Sequence, residues 1–509
     1  MISVLVAAGI GEGHAEQEDA ALLATAIDQE IEARLSREGV PAAALSDDAE
    51  FVRRIHLDLH GAVPPLSEVK DFLADGGKDK RARLVDTLLA EERYGRYLAD
   101  LWQGYLISPL ADDQEKRADR FRQWLADQFN TKTWDAIVTE LLTATGRMED
   151  NPAVTYLIEG RLPRTVPDLT DLTSRYVLGI RLNCAQCHDH PFVNWKQEEF
   201  WGMAAFFTQI QTPKRAKQVY EKGVVDDPTL TLATLNEAGA PDGFVLRPPT
   251  FLGGTELPPA SRATAHRVSL ARWITVPENP YFARAAVNRT WWRLFGRGLV
   301  QPVDDMHEAN APSHPELLDL LARRFTESGY DLKFLTRAIV LSRAYQRTGQ
   351  SGEADERQAA LFGAMSVKVL SAGQLYDSLE SITGPAAKVM GIEGRQQGPR
   401  WEFTQFFGEA GDPDPLAYRR GVPHLLRQMN SGQFTGRNLG ELVSRLSMGA
   451  DPSPEAIASD LFLTILSRPP RADELPQIQA HLDRSGTAAD GLRELAWVLL
   501  MTSEFSLNH

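Results

Sequence analysis

Cysteine is nearly absent from this 509-residue chain: there are two, and both fall in the single stretch Cys184-Ala185-Gln186-Cys187-His188. That scarcity excludes a disulfide framework, and a chain of this length has enough interior to rely on its core. Long apolar runs are missing as well, and nothing approaches the 18 or so apolar residues of a membrane span. Positive charge is in short supply: 54 Lys and Arg stand against 69 Asp and Glu, a net charge of −15. Such a balance lacks the basic footprint of a general nucleic-acid or anionic-membrane binder. There is no fixed-period repeat, P-loop, dinucleotide glycine fingerprint or G-x-S-x-G elbow. What is present, 43% hydrophobic and 24% charged residues, is the composition of a globular protein and not of a disordered one. The length suggests about three domains.

Helical periodicity dominates the first half. A polar helix is expected at residues 25–37, and after Ser46, read as its N-cap, Phe51, Ile55 and Leu59 recur at helical spacing until Gly61 and Pro64-Pro65 end the helix. Further helices are expected at 66–74, 80–90, 94–102, 118–129 and 134–143, and helical segments at 175–180 and 198–207 lead into and out of the cysteine motif. Residues 212–260 are richer in Pro, Gly and charge, and Thr229-Leu230-Thr231-Leu232 alternates with a strand period. Helical patterning returns from Val268 to the end, interrupted by a loop-like stretch at 391–415. The fold class read from this pattern is mainly α, two helical lobes joined by a small β-containing connector. The domains are then 21–211, a connector at 212–260, and 261–509.

Residues 2–10 are almost all apolar or small, and Gly13-His14-Ala15 precedes an acidic run. An apolar core followed by small-x-small is the signal-peptide pattern, but the first Lys or Arg is Arg34, so the positive leader is missing. A truncated signal peptide at 1–20 is one reading; an apolar terminus with no targeting role is the other.

C-x-x-C-H is the attachment signature of c-type haem. Two thiols three positions apart can each form a thioether to a porphyrin vinyl, while the adjacent imidazole coordinates iron. Cys184 and Cys187 are then the cofactor-binding residues and His188 the metal ligand. Phe192, Trp195, Phe200, Trp201, Phe206 and Phe207 surround the motif and could wall an apolar pocket, although a helix core is the commoner use of such a stripe. A disulfide or redox pair also fits C-x-x-C, without the βαβ pattern of the thioredoxin type. A zinc site drawn from Cys184, Cys187, His188 and His190 is formally complete but unusually close-packed. His190 does not reach the opposite face of an iron held by His188, because two residues of chain span at most about 7 Å. His190 and Asp189 are therefore read as proton-handling or substrate-contacting groups. Distal ligands would come from elsewhere, with His56, His60, His307, His314, His424, His509, Met203, Met306 and Met429 as candidates.

The chain resembles the exported planctomycete cytochrome-type proteins, in which a planctomycete cytochrome domain of unknown function precedes a planctomycete-specific C-terminal domain. The residues that carry the likeness are FVRRIHLDLHG at 51–61, DKR at 79–81, LVDTLL at 84–89 and LGIRLNCAQCHDHPF at 178–192. In the second half they are LARWITVPENP at 270–280, VNR at 287–289, FGRGLV at 295–300, SHPELL at 313–318 and EFSLNH at 504–509. The resemblance implies export, hence a periplasmic or secreted location, and a cytochrome-like role. His60 departs from it, standing where members usually carry a small hydroxyl residue.

Other clusters have plain structural readings. Ser313 and Glu316 look like a capping box around Pro315, which leaves His314 as a catalytic candidate. Asn288 and Arg289 suggest a buried Arg–carboxylate pair or a propionate contact. Arg419 and Arg420, with Gln428 and Asn430, could hold an anion or line a loop. Asn508-His509 suggests a buried, docked end, with His509 as a distal-ligand or catalytic candidate.

Taken together, these residues point to a c-type haem protein with a redox role, an oxidoreductase ahead of an electron carrier. Its partner is a redox protein or a small-molecule substrate, not nucleic acid. The catalytic candidates are His190, Asp189, His314 and His509. The alternatives are a haem-free metal-dependent hydrolytic enzyme using the Cys/His cluster, and a non-catalytic extracellular scaffold with a C-x-x-C disulfide.

Overall fold

The computed structural model describes residues 2–107, 115–159, 162–211, 223–230, 248–259, 264–349, 356–384, 399–407, 415–416, 437–449 and 453–509. It is mainly helical, 62% helix against 4% strand, with small antiparallel sheets in the connector region, as the periodicity predicts. Among the described residues no helix is long and apolar enough to cross a membrane. The signal-like residues and the polar helix expected at 25–37 belong to one helix, Ile2–Glu38. The chain divides into two compact units: Met1–Glu30 with Tyr94–Ile339, and Ile31–Arg93 with Val340–His509.

In the first unit the helix Trp134–Thr143 packs on His266–Thr275, and Phe282–Phe295 packs on Pro315–Glu327. Strand Gly223–Asp226 lies between Gly146–Arg147 and Ile210–Gln211, antiparallel to both. Of the strand expected at Thr229–Leu232, Thr229 and Leu230 lie in a turn after Gly223–Asp226, and Thr231 and Leu232 fall outside the described residues. Arg267 ties the layers together. It is buried, donates two 2.7 Å bonds to Asp226, and reaches the carbonyls of Leu142 and Ala144, which the end of Trp134–Thr143 leaves without helical partners.

The motif FGRGLV has a local explanation. Gly296 ends the helix Phe282–Phe295 at φ +78°, and a Cβ on Gly298 would sit 2.4 Å from the Val300 carbonyl. Asn288 holds that turn, donating to the carbonyls of Val300 and Val303 and accepting from the Val300 N–H. Arg289 lies over the rings of Tyr105 and Tyr176, each 5.0 Å from the guanidinium. These rings form an aromatic cradle for the guanidinium that the sequence did not suggest.

In the second unit the helix Asp48–Leu59 is buried along nearly its whole length. Its N-cap is Asp47, whose carboxylate accepts the Glu50 N–H at 2.8 Å, one residue later than the expected Ser46. Arg53 donates to the carbonyls of Ile465 and Phe505, and Arg54 to those of Tyr345, Arg347 and His509 and to Glu50. Two guanidinium groups are tolerated in this interior because main-chain carbonyls replace the lost water. The strand Leu507–Asn508 pairs with Lys368–Val369, so the end of the chain is docked in this unit.

Candidate functional site

The approach to the cysteine motif is built by a sharp change of direction. Thr165 caps the helix Val166–Leu172, a π-turn over Thr173–Val177 follows, and Gly179 turns the chain at φ +70°. A Cβ on Gly179 would lie 3.1 Å from that of Ala285, so only glycine meets both the dihedral and the packing. Arg175 and Arg181 converge on Asp304, with Arg181 at 2.6 Å and 2.9 Å from one carboxylate oxygen. Burial pushes the Asp304 carboxyl upward, but the hydrogen bonds and charge of the two arginines outweigh it and hold it below the usual range. This clamp fixes the segment just before the cysteines. The helical stretch expected at 175–180 is thus a π-turn that stops at Val177.

Cys184 lies in the 3₁₀ turn Asn183–Gln186 and Cys187 caps it. Side chains at i and i+3 eclipse in such a turn. The buried Ala185 anchors the inner side, and both cysteines are exposed free thiols on the other. His188 is exposed, and its Nδ1 is 2.7 Å from the Asp189 carbonyl oxygen. A carbonyl only accepts, so Nδ1 carries a proton, and Nε2 is the ring nitrogen left for a metal.

The following residues form a loop bonded to itself. His190 Nδ1 accepts the N–H groups of Phe192 and Val193, each at 3.2 Å, and the His190 N–H donates to the Trp195 carbonyl. Asp189 accepts the Gln197 N–H at 3.0 Å and pairs with Lys196 at 3.2 Å. Those two contacts, the Gln197 bond first, hold its carboxyl below the ordinary range. The Gln197 amide donates to the carbonyls of Cys187 and Gln186, and the Trp201 indole to that of Gln186. Gln197 thus closes the loop onto the motif. Nothing in the sequence flags this glutamine, because its partners are main-chain atoms.

The expected aromatic pocket divides differently. Phe200, Trp201, Phe206 and Phe207 are core residues at 0–1% exposure. Phe192 stands in water at 87% exposure, and Trp195 is half-buried with its ring 6.4 Å from that of Tyr281. The helix Gln197–Ala204 turns its aromatic side inward, so the stripe is mostly helix core. Cys184, Cys187 and His188 fit a covalently attached porphyrin by their donor chemistry and accessibility; the walls expected around it are absent among these four residues.

The other candidates are scattered. In the first unit, His314 is buried, with Nδ1 3.0 Å from the Ser313 hydroxyl. His314 itself is the N-cap of Pro315–Glu327, without a side-chain cap bond, so the capping box expected at Ser313 and Glu316 does not form; the Ser313 hydroxyl meets the imidazole instead. Met203 is core, Met306 packs over Gly179, and His307 faces Asp305 at 3.7 Å. In the second unit, His56 bonds Val52 and Glu68 at 2.8 Å each, and His60 Nε2 bonds the Leu88 carbonyl at 2.9 Å. His509 is buried there, and burial first, then the charge of Arg53, pushes its imidazole down to about 3. His424, Met429, Arg419, Arg420, Gln428 and Asn430 lie outside the described residues.

A helical protein presenting free thiols and an adjacent imidazole on a self-bonded surface loop defines the class. Residues 26–212 match PSCyt2, a protein of unknown function (DUF1549), and residues 266–435 match PSD1, a protein of unknown function (DUF1553). The chain belongs to the proteins in which the planctomycete cytochrome domain precedes the planctomycete C-terminal domain. No match is found among curated proteins or among solved structures.

Proposed function

We propose that the chain is an exported c-type haem protein with a redox role, in which Cys184 and Cys187 hold the porphyrin and His188 ligates its iron. The observation that carries this reading is the pairing of two exposed free thiols on one edge of a 3₁₀ turn with an imidazole whose Nε2 is left available. When bound, the haem supplies one-electron iron chemistry. The chain's residues do the rest. The Asp189 carbonyl keeps the His188 ring in its ligating tautomer. His190, with Nδ1 occupied as an acceptor, carries its proton on Nε2, where it can be donated. An oxidoreductase is favoured ahead of an electron carrier by size, since a simple carrier rarely needs a chain of 509 residues. Export follows from the attachment chemistry and puts the protein in the periplasm or outside the cell.

The zinc reading is disfavoured by the same loop. Ligation through His190 Nδ1 or through Asp189 would break the hydrogen bonds that order residues 189–197. The test is expression in a host with periplasmic cytochrome maturation, followed by denaturation. Haem that stays on the polypeptide with the matching mass increase is expected. A haem-free chain beside a matured control cytochrome overturns the proposal, and a thiol count with zinc analysis then separates disulfide from metal site.

A further inference from the structure

We infer that Phe192 is the apolar cover of the porphyrin, an inference that rests on the haem reading above. Phe192 is the most exposed large hydrophobic side chain among the described residues. Its exposure is imposed by a rigid loop and not by a loose one. The N–H groups of Phe192 and Val193 both end on His190 Nδ1, the His190 N–H ends on the Trp195 carbonyl, and Gln197 closes the loop onto Cys187. A phenyl ring held in water by that many bonds is preorganised for an apolar ligand.

The loop itself points to the occupant. Cys184, Cys187 and His188 are exposed beside it, and Phe192 comes four positions after His188, a reach of at most about 14 Å. Phe200, Trp201, Phe206 and Phe207 are committed to the core, so Phe192 and Trp195 are the aromatic rings this motif has left to offer a flat apolar macrocycle. A planar group attached at both thiols is continuous with them, whereas a protein partner would need a surface of its own.

The cover has an electrostatic consequence. Ferric haem carries one more positive charge than ferrous haem, so excluding water from its edge disfavours the oxidised form and raises the reduction potential. The experiment uses the full chain matured with haem and compares it with Phe192→Ala and Phe192→Leu. Haem retained after denaturation is expected to be equal in all three, because thioethers do not depend on Phe192. At the wild-type midpoint, Phe192→Ala is expected to raise the oxidised-to-reduced ratio about threefold or more, on a scale where tenfold is about 59 mV for one electron. Phe192→Leu is expected to restore most of the shift. Equal potentials in the three haem-bearing proteins overturn the inference and leave Phe192 to a protein partner. A chain that carries no haem at all overturns the haem reading, and this inference with it.

Discussion

Lys368 Nζ lies 2.6 Å from Asp58 Oδ1, with both side chains almost wholly withdrawn from water. The same carboxylate oxygen accepts the Asn508 amide at 2.8 Å, and the other accepts the Tyr345 hydroxyl at 2.8 Å. The pair joins residues 310 positions apart inside the second unit. Removing one member of such a pair leaves a buried charge without its counterpart, which costs about 3–5 kcal/mol. Asp58→Ala is therefore expected to lower the urea midpoint by more than Lys368→Met, since the alanine strands a cation, an amide and a hydroxyl together. Equal and small shifts for both variants would contradict this.

Acid should weaken the second unit in a defined window. Burial, ahead of all other causes, pushes the His60 imidazole down to about 4, although its bond to the Leu88 carbonyl works the other way. The unfolded chain therefore binds the proton first as pH falls. Stability is complete above the ordinary histidine value near 6.5 and is lost progressively down to about pH 4, by about 3 kcal/mol at most. Glu68, lowered to about 2 chiefly by its bond to His56, loses its contribution in a separate window below about pH 4.5. Unfolding followed between pH 7 and 4 should show a shallower dependence in His60→Ser. An unchanged slope in that variant would sink the assignment.

His190 orders its loop through one ring nitrogen. In His190→Ala the N–H groups of Phe192 and Val193 lose their acceptor, and each such bond is worth about 1 kcal/mol. Amide exchange at those two positions should accelerate by about fivefold or more, with the global denaturation midpoint nearly unchanged. Exchange rates that stay put would mean that other contacts hold the loop.

Trp201 separates core from pocket. As a fully buried ring its replacement by alanine is expected to cost about 3–5 kcal/mol, whereas the half-buried Trp195 should cost clearly less. Comparable losses for the two would argue that residues 200–207 do line a functional cavity.

Much of the helical architecture was legible because apolar spacing and turn residues act within a few positions. Pro315 at a helix start, Gly61 at a helix end and the helix Asp48–Leu59 are all visible in that local code. The misplaced caps show where it fails: whether Ser313 caps a helix depends on whether its hydroxyl is already taken by His314, and the pattern S-x-x-E carries no such information. Arg289 was equally opaque, since its aromatic neighbours Tyr105 and Tyr176 come from distant segments. Asp304, which clamps the approach to the cysteines, sits in an undistinguished loop 123 positions from Arg181.

The sequence by itself determined the mainly α class, the family, and the identity of the three side chains that can hold a cofactor. Covalent adjacency decides those, because Cys184, Cys187 and His188 are neighbours whatever the fold. Only the tertiary structure decided which aromatic rings are core and which stands in water, which carboxylate restrains the motif, and that residues 31–93 fold with the chain beyond Val340. Burial and buried pairing arise from contacts between residues far apart in sequence, and a local pattern does not encode them.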